Sequence, residues 1–98
     1  MYAHRASNYT HFPAGGIANQ AVEAEGTITV YGVVAANTGG ATEEVLIEEG
    51  DGSTIIQRIS VPAGDTIPVP ICFLADAGVN VTPNTNTSVT VYHSKAGS

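Results

Sequence analysis

The chain has 98 residues, enough for one domain with a thin core, of a size that buries about 65% of its unfolded surface. Three Lys and Arg stand against nine Asp and Glu, a formal net charge of −6, and this excludes nucleic acid as an expected partner because such binding rests on basic side chains neutralising phosphates. No apolar run approaches the roughly 18–20 residues of a membrane-spanning helix, and the lone cysteine cannot form an internal bridge.

Eleven Val, eight Ile and eleven Thr against two Leu, one Met and one Lys favour strands, since side chains branched at Cβ suit a pleated surface and lose freedom on a helix. Charge is uneven along the chain. Residues 1–22 carry no carboxylate, while residues 23–98 carry all nine against Arg58 and Lys95, a formal 2 − 9 = −7.

The first twenty residues, MYAHRASNYTHFPAGGIANQ, follow neither a helical nor an alternating period, and FPAGG is a strong break. They predict an extended arm over residues 1–21, followed by a folded domain over 22–98. Tyr2, Tyr9, Phe12 and Ile17 make this arm too apolar for a solvated tail, although a disordered leader is the competing expectation. With His4, Arg5 and His11, these residues are the candidates for an interface. A basic, then apolar, then small-residue pattern is missing at the N-terminus, so no secretion signal is expected.

From residue 22 the strand signals are regular. TITVYGVVAAN alternates, which places Ile28, Val30 and Val34 on one face and Thr29, Tyr31 and Val33 on the other. After the NTGG turn, TEEVLIEE sets Val45 and Ile47 opposite Glu44, Leu46 and Glu48. TIIQRIS follows GDGS, with Ile55 and Ile59 flanking Gln57, and Ile56 sharing a face with Arg58. IPVPICF sets Ile67, Val69, Ile71 and Phe73 opposite Pro68 and Pro70. Prolines cannot donate to a ladder on both sides, so this run belongs at an edge or is irregular. Cys72 in VPICFLA reads as a small buried hydrophobe. VNVT and TSVTVYHS close the series, with Tyr31 and Tyr92 expected to be packed strand residues. Six strands separated by Gly, Pro and Asn turns predict an all-β chain: a small antiparallel sandwich or jelly-roll-like domain behind its arm.

Catalysis finds little support. Five of the nine carboxylates fall within residues 43–51, around Gly-Asp-Gly, yet no starting point places a calcium loop's glycine and closing glutamate correctly. A hairpin with a polar tip fits better, Gly50 and Gly52 allowing the tight loop. No serine sits in a nucleophile elbow, the three histidines lack ligand spacing, and no glycine-rich run has a phosphate-binding pattern. No enzyme activity, catalytic residue, metal or cofactor is therefore expected. Three glycosylation-type triplets begin at Asn8, Asn80 and Asn86 and reflect a Thr-rich loop composition.

VYGVVAANT, DGST, VPAGDTI, GVNVT and VTVYH, in this order over residues 24–94, resemble the small β-sandwich structural proteins of tailed bacteriophages, those of marine cyanobacterial phages among them. The resemblance implies a head decoration (cement) protein that docks on the major capsid protein, made in the host cytoplasm and carried on the virion surface. Association with further copies of itself stays open, and so do two alternatives: a neck or tail component, and a glycan- or receptor-binding module. No catalytic residue is carried over.

Overall fold

A computed structural model describes residues 8–22, 27–50, 54–75 and 78–95. Among them there are nine strands and no helix: β1 (Asn8–Phe12), β2 (Gln20–Ala21), β3 (Ile28–Asn37), β4 (Glu43–Glu49), β5 (Ile55–Val61), β6 (Thr66–Val69), β7 (Phe73–Ala75), β8 (Val79–Thr82) and β9 (Thr87–Lys95). They form two antiparallel sheets. The first runs β1–β9–β3–β6, with β7 also on β3, and the second runs β2–β8–β4–β5. The chain is a small all-β sandwich.

The core lies between the sheets and is built from alternation. On β9, Val89, Val91 and His93 are buried; on β4, Val45 and Ile47; on β8, Val79 and Val81. Along β6, the following break and β7, Ile67, Val69, Ile71 and Phe73 pack against this core while Pro68, Pro70, Cys72 and Leu74 are exposed. β6 pairs with Val33–Ala36 and β7 with Ile28–Val30 of β3, so the proline-rich run forms the interrupted edge its prolines require. Cys72 is exposed, contrary to the sequence expectation, because it occupies a solvent-facing position of this alternation.

Two bulges change the phase of the alternation. In β3 the register with β9 shifts between Val30 and Gly32, so Tyr31 is an extra residue. Beyond it Val33 and Ala35 are buried, and Val34, expected on the core face with Ile28 and Val30, turns outward. In the β4–β5 hairpin the shift falls between Ile47 and Glu48, and Ile56 is the extra residue of β5. Ile56 packs against the core, whereas Ile55 is 38% exposed.

The segment expected as an arm is extended, but its described part belongs to both sheets. β1 pairs with β9 over five residues, from Asn8↔His93 to Phe12↔Val89, and β2 pairs with β8. The connection between them crosses from sheet to sheet through Gly15 and Gly16, both at positive φ. Asn19, also at positive φ, donates its backbone N–H to Thr82 Oγ1 at 3.0 Å. Its side-chain amide, turned so that the nitrogen faces Glu48, donates to both carboxylate oxygens at 3.1 and 3.2 Å. Thr82 Oγ1 donates to the same carboxylate at 2.7 Å, which satisfies a glutamate that is buried on the outer side of β4.

A polar lock closes one end of the sandwich. Asn37 is 2% exposed; its amide donates to the carbonyls of Ala41 and Val61 at 2.8 and 3.0 Å, and its oxygen accepts the Gly39 N–H at 2.8 Å. Beside it Glu43 accepts from Thr87 Oγ1 at 2.6 Å and from the Asn86 backbone N–H at 2.9 Å. The Thr87 hydroxyl, with both Asn86 donors, outweighs partial burial and holds the Glu43 carboxyl below the ordinary glutamate value.

Candidate docking face

The two sheets present different outer faces. Alternation along β1 sends Thr10 and Phe12 inward and Tyr9 and His11 outward. Thr10 Oγ1 and His93 Nε2 share a hydrogen bond of 2.9 Å inside, so β1 is tied to β9 beneath the face as well as along its ladder. On the outer side Tyr9 lies opposite Tyr92, with ring centroids 6.2 Å apart and planes tilted by 43°. Tyr9 is 69% exposed and Tyr92 41%, so this ring pair stands in solvent rather than in a packed layer.

Next along the ladder, His11 Nδ1 and Thr90 Oγ1 are 2.8 Å apart and hydrogen-bonded. On the other side of β9, Ser94 Oγ donates to Tyr31 OH at 3.2 Å. Val34 and Ala36 continue the face on β3, and Pro68 and the 63%-exposed Leu74 complete it on the far edge. No described Asp, Glu, Lys or Arg side chain lies on this face. The described carboxylates sit instead on β4 (Glu43, Glu44, Glu48, Glu49) and in the turn before β6 (Asp65), and Arg58 on β5 pairs with Glu44 at 3.0 Å.

The predicted interface residues separate accordingly. Tyr9 and His11 come together on the uncharged face. Phe12 does not join them: at 4% exposure it is a core residue, because it shares the inward phase of β1 with Thr10. Ile17 is 65% exposed, but on the connection that crosses to the second sheet. Tyr2, His4 and Arg5 lie outside the described residues. Tyr92, expected to be a packed strand residue, is instead exposed, because the alternation Val89–Val91–His93 places it on the side opposite the core, and Leu74 was missed by sequence reasoning.

The described part of the acidic segment, residues 43–50, is a hairpin stem: β4 pairs with β5 from Glu43↔Val61 to Glu48↔Ile55, and the Glu49 N–H bonds to the Thr54 carbonyl at 2.8 Å, while the tip expected over residues 51–53 lies outside the described residues. Among the described residues no group of three or more His, Cys, Asp or Glu side chains is arranged to hold a metal ion. No family model, no curated protein and no solved structure matches this chain.

Proposed function

We propose that this chain is a non-enzymatic structural protein of a virion, a capsid decoration protein that docks on the major capsid protein and stabilises the shell. One observation carries this: the outer face of the first sheet bears no described charge, while the described carboxylates belong to the second sheet and a turn. A chain of net charge −6 whose described charges leave one broad face free has a surface suited to burial and another suited to water. Docked through the first sheet, the protein would leave its acidic sheet outward. The sequence resemblance to phage sandwich proteins supports the same role. Weak contacts repeated at many equivalent positions would add stability to the shell by mass action.

The test is a binding titration on purified heads that lack the protein, with copies counted at saturation. Decoration requires saturable binding at hundreds of positions. Saturation at tens or fewer would indicate a neck or tail component instead, and no binding to heads would remove the proposal. The exposed Tyr9–Tyr92 ring pair favours one other reading, a glycan- or receptor-binding module, because aromatic faces can stack on sugar rings. An array of glycans probed with the purified chain distinguishes it.

A further inference from the structure

The ring pair on the first sheet has a chemistry of its own, whatever the sheet docks on. Tyr9 and Tyr92 occupy directly opposed positions of the β1–β9 ladder, where the side chains of an antiparallel pair are neighbours. Their ring centroids are 6.2 Å apart and the planes are tilted by 43°. Tyr9 is 69% exposed and Tyr92 41%, so an oxidant in solution reaches both rings, and each retains freedom to turn about its side-chain torsions. The ring edges lie nearer to one another than the centroids, and a modest turn brings them together. Tyr31 differs, being half-buried with its hydroxyl accepting from Ser94 Oγ.

Two phenols held in this way are placed for oxidative coupling. A one-electron oxidant takes an electron from one phenol, the O–H proton passes to water, and a phenoxyl radical remains with spin at the carbons ortho to oxygen. The same step on the facing ring allows the two radicals to pair, forming an ortho–ortho carbon–carbon bond. Each coupled carbon then loses its proton while its oxygen regains one, which restores both phenols. With hydrogen peroxide as terminal oxidant the balance closes: two tyrosines and one peroxide give one dityrosine and two waters.

We infer that Tyr9 and Tyr92 form an oxidative cross-linking site, at which peroxide-driven one-electron oxidation joins β1 covalently to β9. The bond closes nearly the whole folded chain into one loop and clamps the N-terminal strand in its sheet, as a disulfide across a long loop would. It concerns the free chain and does not rest on the shell-docking proposal.

The experiment exposes the full chain to hydrogen peroxide and a haem peroxidase, with Cys72 alkylated beforehand so that its exposed thiol consumes no oxidant. Free tyrosine is reacted separately as a positive control. Dityrosine fluorescence, intact mass and mapping of cross-linked peptides follow the products at several protein concentrations. The expected product is a single chain lighter by two hydrogens, with a mapped Tyr9–Tyr92 bond and a yield independent of protein concentration. Its unfolding midpoint should rise by about 10 °C or more. Tyr9→Phe and Tyr92→Phe, each checked for fold by circular dichroism, should lose the intramolecular product by about tenfold or more. Bonds that join only separate chains, a bond mapped to Tyr2 or Tyr31 in place of the pair, variants that couple as wild type, or no coupling where free tyrosine couples would each overturn the inference. An unchanged midpoint in the mapped product would overturn the clamp on β1. Peptide mapping uses wild-type tyrosines, so it decides even if a variant fails to fold.

Discussion

Replacing Phe12 by Ala tests whether the N-terminal segment is part of the sandwich or an appendage to it. Phe12 is 4% exposed, stands opposite Val89 and closes the core at the β1 edge. Truncating a buried Phe costs about 3–5 kcal/mol, through lost burial and the cavity left behind. An edge strand can partly collapse onto the space, so the lower figure, about 3 kcal/mol, is expected. For a domain of this size each kcal/mol moves the midpoint by roughly 4–8 °C, which predicts a fall of about 12–24 °C. The assay is thermal and urea unfolding followed by circular dichroism and tyrosine fluorescence, there being no Trp in the chain. Tyr9→Ala is the internal control: three positions away on the same strand, it removes an exposed ring and loses under about 1 kcal/mol of cross-strand contact. Equal small losses in both variants would refute the placement of β1 in the core.

Other parts of the fold make separate predictions. Asn37→Ala removes the partner of the Val61 carbonyl and of the Gly39 N–H, and is expected to cost about 2–3 kcal/mol in urea unfolding because buried polar groups are left unmatched. Gly39→Ala would place a Cβ 2.8–3.0 Å from Asn86 side-chain atoms and should cost about 1–3 kcal/mol. Gly40→Ala, with nothing within 4 Å, should stay within about 0.5 kcal/mol. Because the folded pKa of Glu43 is depressed, its contribution is complete above the ordinary glutamate value and is lost as pH falls through the lowered folded value. Glu43→Gln should therefore flatten the acid side of the stability–pH curve, measured as urea midpoints across that window. Removal of residues 1–21 would take β1 from one sheet and β2 from the other, so the truncated chain should unfold rather than simply fail to dock.

Where a strand has a single buried face and no extra residue of its own, the sequence was sufficient. Val45 and Ile47 alternate with polar neighbours and lie in the core, and the Pro68/Pro70 phase of IPVPICF places that run at an edge. Bulges defeat the same logic, because one extra residue reverses the phase beyond it. Tyr31 sends Val33 inward in place of Val34, and Ile56 takes the core position that the pattern gave to Ile55. The N-terminal strands were illegible for a different reason. β1 is only five residues long, and its partner lies more than 75 positions away, so no local period announces the pairing. Half of the candidate face follows from alternation in VTVYHS; the meeting of Tyr9 with Tyr92 required the long-range register.

The most direct test of the proposed docking through the first sheet is hydroxyl-radical footprinting of the unaltered chain, free and bound to heads. Tyr9, Tyr92 and Leu74 are exposed on the first sheet, while Ile17 and Ile55 are exposed elsewhere, so each reports on its own surface. Protection of Tyr9, Tyr92 and Leu74 on binding, with Ile55 still oxidised, is the predicted result. Protection of Ile55 with Tyr9 and Tyr92 still oxidised would contradict it, for the acidic sheet would then be the one against the shell.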